Sequence, residues 1–358
     1  MKTRLRYDRI IPIILILIAF IFFIVLLTKD DDNIFPLITE DFSSCELFNQ
    51  NEKTLLRTDN DLYVLGESAE LLHSVTLPSK DSLYTANGAY TLVADNKEST
   101  LFLYYKGEPI GSVALSGQIR NIFLNEEGGF CVILEEKAYM SKVLAFDRNC
   151  KELFSYLHDT FYFLSAHLAQ DQKTIVLSMI DFTQQTLCSE LRVYDISAEE
   201  AILLWNTVYS DEIITGVELL DSGKVTLLSD KRLTHFKKDG TVIFNQDFTG
   251  KNLMFAEFRN EDYFFLAFEN GTATDFQIFN KKGKMTGSFT IADAVSKVNM
   301  EGKYLCLYCN DVIYLINHKG IAKTQDKAEA LYSDIVLCND RKHVVLISET
   351  YIEKLKIR

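Results

Sequence analysis

From residue 44 to its end the chain repeats one unit of about 40 residues, and each unit is a pair of hairpins. In the first hairpin an apolar strand, a short polar turn and a still more apolar strand follow one another, as in "YTANGAYTLVA", "SAHLAQDQKTIVLS" and "VELLDSGKVTLL". These turns centre near Asn49, Asn87, Glu126, Asp171, Asp221, Asn260, Glu301 and Asp340. In the second hairpin an aromatic or aliphatic pair leads into a small or charged turn, often with Gly, as in "LYYKGEPIGSV" and "HFKKDGTVIFNQ". Gly there supplies the positive φ of a tight turn. About eight hairpins of the first kind and seven of the second are present. One of each makes a four-stranded blade. The pattern therefore predicts an all-β fold, a β-propeller of eight blades, or of seven if one end repeat is degenerate. A two-sheet sandwich has no need of the same two hairpins at this interval.

Strand composition fits a ring. "TIVLSM", "YFFLAF" and "HVVLI" are nearly continuous apolar runs, expected for inner strands covered on both faces. "KRLTHFKK" and "YIEKLKIR" alternate and are expected at the outer edge, which places His235 at the surface or in packing there. The last repeat stops at its third strand, and an open blade leaves a bare edge. Residues 34–39, "IFPLIT", are expected to close it, with Pro36 tolerated in an outermost strand.

Residues 10–27 form an uncharged apolar run, "IIPIILILIAFIFFIVLL". As a helix it spans about 27 Å, close to the thickness of a bilayer core. Lys2, Arg4, Arg6 and Arg9 precede it, and Asp30, Asp31 and Asp32 follow, so the N-terminus is expected in the cytoplasm. The run is longer than a signal-peptide core, and no small-x-small site follows it. The expected organisation is a cytoplasmic tail over 1–9, a transmembrane signal-anchor helix over 10–28 and a linker with the closing strand over 29–43. An extracytoplasmic propeller over 44–358 completes the chain. Membrane lipid is then one partner, through the helix.

The formal charge of −13 excludes nucleic acid, whose phosphates require a Lys/Arg face. Seven cysteines cannot all pair within the chain. Cys131, Cys188, Cys306 and Cys338 have apolar neighbours, as free cysteines used for packing do. Cys306 and Cys309 form a C-x-x-C, but inside an apolar strand, where residues three apart face opposite ways; this excludes a converging redox or zinc pair. No G-x-S-x-G, phosphate loop, H-E-x-x-H, Asp box or calcium loop is present. His73, His158, His167, His235, His318 and His343 fall in separate repeats without ligand spacing. The sequence therefore nominates no catalytic, cofactor-binding or metal-binding residue, and no cofactor.

The hairpin "VYDISAEEAILLW", ending at Trp205, resembles the repeats of WD40-like and quinoprotein-like propellers. With its anchor and repeats the whole chain is similar to an uncharacterised family of bacterial membrane-anchored propeller proteins. That resemblance implies a fold and no activity. An anchor followed by repeats with no catalytic motif is expected to serve as a non-catalytic interaction or ligand-binding platform of the cell envelope, with a protein partner on one propeller face. The alternative is an extracytoplasmic propeller enzyme or glycan-binding protein with carboxylates at the central mouth.

Overall fold

A computed structural model describes residues 45–356, apart from 51–52, 137–138, 184, 259–261, 294, 328–330 and 349–351. Within them the chain forms an eight-bladed β-propeller, one antiparallel sheet per repeat in chain order. Blades 1 to 8 cover residues 46–76, 83–114, 118–158, 161–210, 214–247, 253–291, 295–327 and 334–356. Seven blades have four described strands and blade 8 has three. The tail, the apolar run, the linker and residues 34–39 lie outside the described residues. Among the described residues no helix is long and apolar enough to cross a membrane.

Each sheet is a simple meander, so the two hairpins of a repeat are strands one–two and three–four. Second strands are the dry layer: Thr174–Asp181 in blade 4 and Tyr263–Asn270 in blade 6 are buried through their middles. Both faces of such a strand meet a neighbouring blade, which is why these segments lack alternation. First strands lie innermost, touching one another around the axis. All seven fourth strands begin with a register shift against the third strand, beside the connecting turn. A bulge there increases the local twist of the outer strand.

One strand assignment differs from expectation: "RLTHF", Arg232–Phe236, is a third strand rather than an outer edge, whereas Ile352–Lys356 is the third strand at which the last repeat was expected to stop. His235 is 0% exposed, enclosed by Phe244 of the fourth strand and Phe264 of the next blade. Thr234 and His235 give the segment its polar look, yet Thr226 of the second strand hydrogen-bonds to His235 Nδ1 at 2.9 Å inside the core. Cys188 is half-exposed at the start of a third strand rather than packed, whereas Cys131, Cys306, Cys309 and Cys338 are buried.

The ring closes head to tail. Leu47, Leu56, Leu65 and Ala69 of blade 1 share one apolar cluster with Val336, Val345 and Ile347 of blade 8. Polar contacts reinforce that seam: the Leu47 N–H donates to Asp334 at 3.2 Å, and the Asp340 N–H to the Glu67 carbonyl at 3.1 Å. Every other junction between neighbours has its own apolar layer, so the core is a ring of wedges rather than one centre.

Candidate functional site

In a meander blade the one–two and three–four turns emerge on the same side. Here both sets surround one wide mouth of about 1430 Å³ on the propeller axis. Asn49, Asn87, Glu126, Asp171, Asp221 and Glu301, which the sequence marks only as turn positions, all line it. Asp340 is not among the lining residues, though its neighbour Asn339 is, and Asn260 lies outside the described residues.

The throat is held by amides near the ends of first strands. Asn87 Nδ2 donates to the Leu124 carbonyl of the next blade at 3.1 Å. Asn125 Nδ2 reaches the Ala169 carbonyl at 2.9 Å, while its Oδ1 accepts from the Gly129 N–H at 2.8 Å. Asn49 reaches back to donate to the Leu337 carbonyl of blade 8 at 3.0 Å, and Asn299 of blade 7 accepts from the Leu337 N–H at 2.9 Å, so amides from both sides fasten the seam between blades 1, 7 and 8. Carbonyls at the ends of first strands have no sheet partner on the axis side, and an amide at the end of the neighbouring strand satisfies them.

Above the throat the mouth is acidic. Ten carboxylates line it against three cations, Lys53, Arg148 and Lys238. Three adjacent turns are tied together by Gln170, whose Nε2 donates to Glu126 at 3.2 Å and to Asp221 at 2.6 Å. A neutral amide thus holds two carboxylates from different blades near each other, and a cationic group presented to the mouth would find both. His167, on the first strand of blade 4, also lines the cavity and packs against Phe123, the two rings tilted with centroids 4.9 Å apart. Its Nε2 is buried without a hydrogen-bond partner, and burial pushes its pKa down to about 4, so the ring is neutral at physiological pH.

The six histidines occupy six different blades. Among the described residues, no three or more His, Cys, Asp or Glu side chains gather as a metal site would require. Burial raises the thiols of Cys131, Cys306 and Cys338, the last two to about 12, and this opposes the thiolate form that nucleophilic or redox chemistry uses. The mouth also departs from a small-molecule pocket, which is typically about 300–1,000 Å³ and mostly apolar.

The sequence carried the mouth without displaying it. Positions about 40 residues apart that occupy the same turn must share one face, and their run of Asn, Asp and Glu was visible. Lys238, Asp147 and Arg148 come from the other hairpin and join only because both turns point the same way.

Solved structures of diverse proteins are similar to this one. A eukaryotic initiation factor structure aligns over 91% of each chain with a TM-score of 0.56 at 10% identity. Sqt1 of Saccharomyces cerevisiae aligns over 91% of this chain and 100% of its own, with a TM-score of 0.54 at 11% identity. The dihydro-heme d1 dehydrogenase NirN aligns over 90% of this chain and 75% of its own, with a TM-score of 0.55 at 11% identity. At such identities the likeness is one of fold alone. No curated protein matches the sequence. Residues 38–357, nearly the whole chain, match the profile of DUF5711, and the protein therefore belongs to that family of unknown function.

Proposed function

We propose that the protein is a non-catalytic binding platform, tethered to the cell membrane by residues 10–28, whose propeller stands outside the cytoplasm and receives a basic segment of a protein partner in its acidic mouth. The observation that carries this is the composition of the mouth: ten carboxylates against three cations, drawn from turns of most blades around one opening. Like charges held at fixed positions by a rigid ring attract a cationic partner at long range and reject anionic ones. Width supports the same view, because a mouth of about 1430 Å³ admits a protruding loop or chain end more readily than it encloses a metabolite. The Gln170 bridge offers a specific seat: a Lys or Arg side chain can replace the amide between Glu126 and Asp221 and make charge-assisted hydrogen bonds in its place.

The test uses labelled penta-lysine and penta-glutamate peptides with the full chain in detergent micelles. Penta-lysine is expected to bind and to weaken steeply with salt, and penta-glutamate not to bind. Reversing Glu126, Asp171 and Asp221 to Lys should reduce binding at least about tenfold, equivalent to about 1.4 kcal/mol. Equal binding of both peptides, or binding untouched by the triple reversal, would refute the proposal. A photo-crosslinker at Gln170 in cells would then identify the partner, and adducts confined to oligosaccharide would favour a glycan-binding mouth instead.

A further inference from the structure

We infer that the outer rim of blades 5, 6 and 7 docks on an anionic lipid surface, its lysines meeting the headgroups and three aliphatic side chains entering beneath them. The choice of lipid rests on the tether proposed above, whereas the patch itself belongs to the propeller.

One turn recurs between third and fourth strands. In blades 1, 5, 6 and 7 the N–H of Gly66, Lys237, Asn280 and Asn317 donates to the carbonyl four residues on, at 2.7 to 3.0 Å. The N–H three residues on returns a bond to the first carbonyl, at 2.8 to 3.0 Å. The backbone is therefore shared, and only the side chains differ. Blades 5 to 7 read "KKDGTV", "KKGKM" and "HKGIAK" over 237–242, 281–285 and 318–323, with seven exposed lysines against one carboxylate. That carboxylate, Asp239, accepts from the Thr241 N–H of its own turn at 3.0 Å. Lys281 is engaged by Asp262 at 2.8 Å. Blade 1 has Glu67 and Glu70 where blade 6 has Lys281 and Lys284, and blade 4 presents Glu199 and Glu200. A chain of formal charge −13 thus concentrates cations in one sector of its rim.

Each of the three turns also carries an uncovered aliphatic side chain. Val242 is 51% exposed, Met285 46% and Ile321 55%. Lysines interleaved with aliphatic tips suit a membrane interface, where the tips leave water and the ammonium groups stay among phosphates. All seven cations are lysines, hydrated point charges without the guanidinium fork, which fits a diffuse field of headgroups better than one particular anion. A protein partner would instead need a separate recess for each tip. The acidic mouth inside the rim is repelled by the same surface. The ring therefore leans on blades 5 to 7, and the mouth stays open toward blades 1 to 4.

The test uses the full chain in nanodiscs of phosphatidylcholine, alone or mixed equally with phosphatidylglycerol, with brominated acyl chains as contact quenchers of tryptophan. Met285→Trp reports on the sector. Leu71→Trp reports on the equivalent place in blade 1, where Leu71 is 42% exposed, and Trp205, the one native tryptophan, sets the background. Met285→Trp is expected to be quenched in the anionic discs and not in the neutral ones, and Leu71→Trp in neither. Lys282→Glu, Lys284→Glu and Lys319→Glu together should shift the docked-to-free ratio by more than about a hundredfold and abolish the quenching. Melting temperature should stay within a few degrees. Quenching that is equal at both positions, equal in both lipids or untouched by the triple reversal overturns the inference. Penta-glutamate bound through these lysines would assign the sector to an acidic protein and overturn it as well. A chain that does not enter the discs refutes the tether alone; brominated vesicles of the same two compositions, added to that chain, then decide the rim by the same readout.

Discussion

Asn125 shows how much one side chain can hold in this ring. It is 8% exposed, donates to carbonyls of blade 4 and accepts from its own turn. Asn125→Ala strands a buried N–H and a carbonyl together, and is expected to lower stability by about 2–3 kcal/mol. Asn87→Ala, which removes one longer bond at a half-buried position, should cost less. Thermal melts of both variants check the order. The histidines set the pH response. Burial depresses His167 to about 4, and burial with nearby lysines depresses His73 and His318. A histidine kept neutral in the fold takes up a proton on unfolding below its ordinary pKa of about 6.5. Stability from His167 is therefore complete above that pH and declines as pH falls toward 4, by up to about 1.4 kcal/mol per pH unit. Melting temperature measured from pH 7 to pH 4.5 should fall, and His167→Gln should flatten the slope; an unchanged slope would contradict the buried neutral ring.

At the scale of strands, the junction between blades depends on close backbone approach at a few places. A Cβ on Gly287 would sit 2.3 Å from the Lys319 carbonyl carbon and 2.6 Å from the Gly320 nitrogen. Both are backbone atoms that cannot rotate away, so Gly287→Ala must push blade 6 from blade 7, at about 1–3 kcal/mol. Gly250→Ala meets no atom within 4 Å and carries only the strain of its φ of +80°, about 1–2 kcal/mol. Denaturant midpoints of the two variants separate crowding from strain. Hairpins and their order were legible in the sequence because turn chemistry and apolar runs are local properties. Position within a blade was not. "LTHF" mixes polar and apolar residues but is buried, since His235 bonds to Thr226 and Thr234 to Asn245 on the two adjoining strands of the same blade.

For the whole molecule, the repeat length alone dictated a ring, and the ring then gathered what the chain scatters. The acidic mouth illustrates the limit of reading along the chain. Each turn carries one or two polar residues unremarkable for a turn, and only their summation around an axis makes a field. Its net excess of carboxylates accounts for a good part of the formal charge of −13. The charge-reversed triple variant should therefore lose peptide binding while keeping its melting temperature within a few degrees, because exposed carboxylates contribute little to folding. Separate readouts of binding and melting distinguish this from general damage to the ring.

Strand polarity has one further consequence. Fourth strands all start on the side where the mouth opens and run away from it. Third strands run the other way, so Ile352–Lys356, the last described strand, delivers the chain to the rim of the opening. A reporter group attached there would sense what enters the mouth without being threaded through the ring.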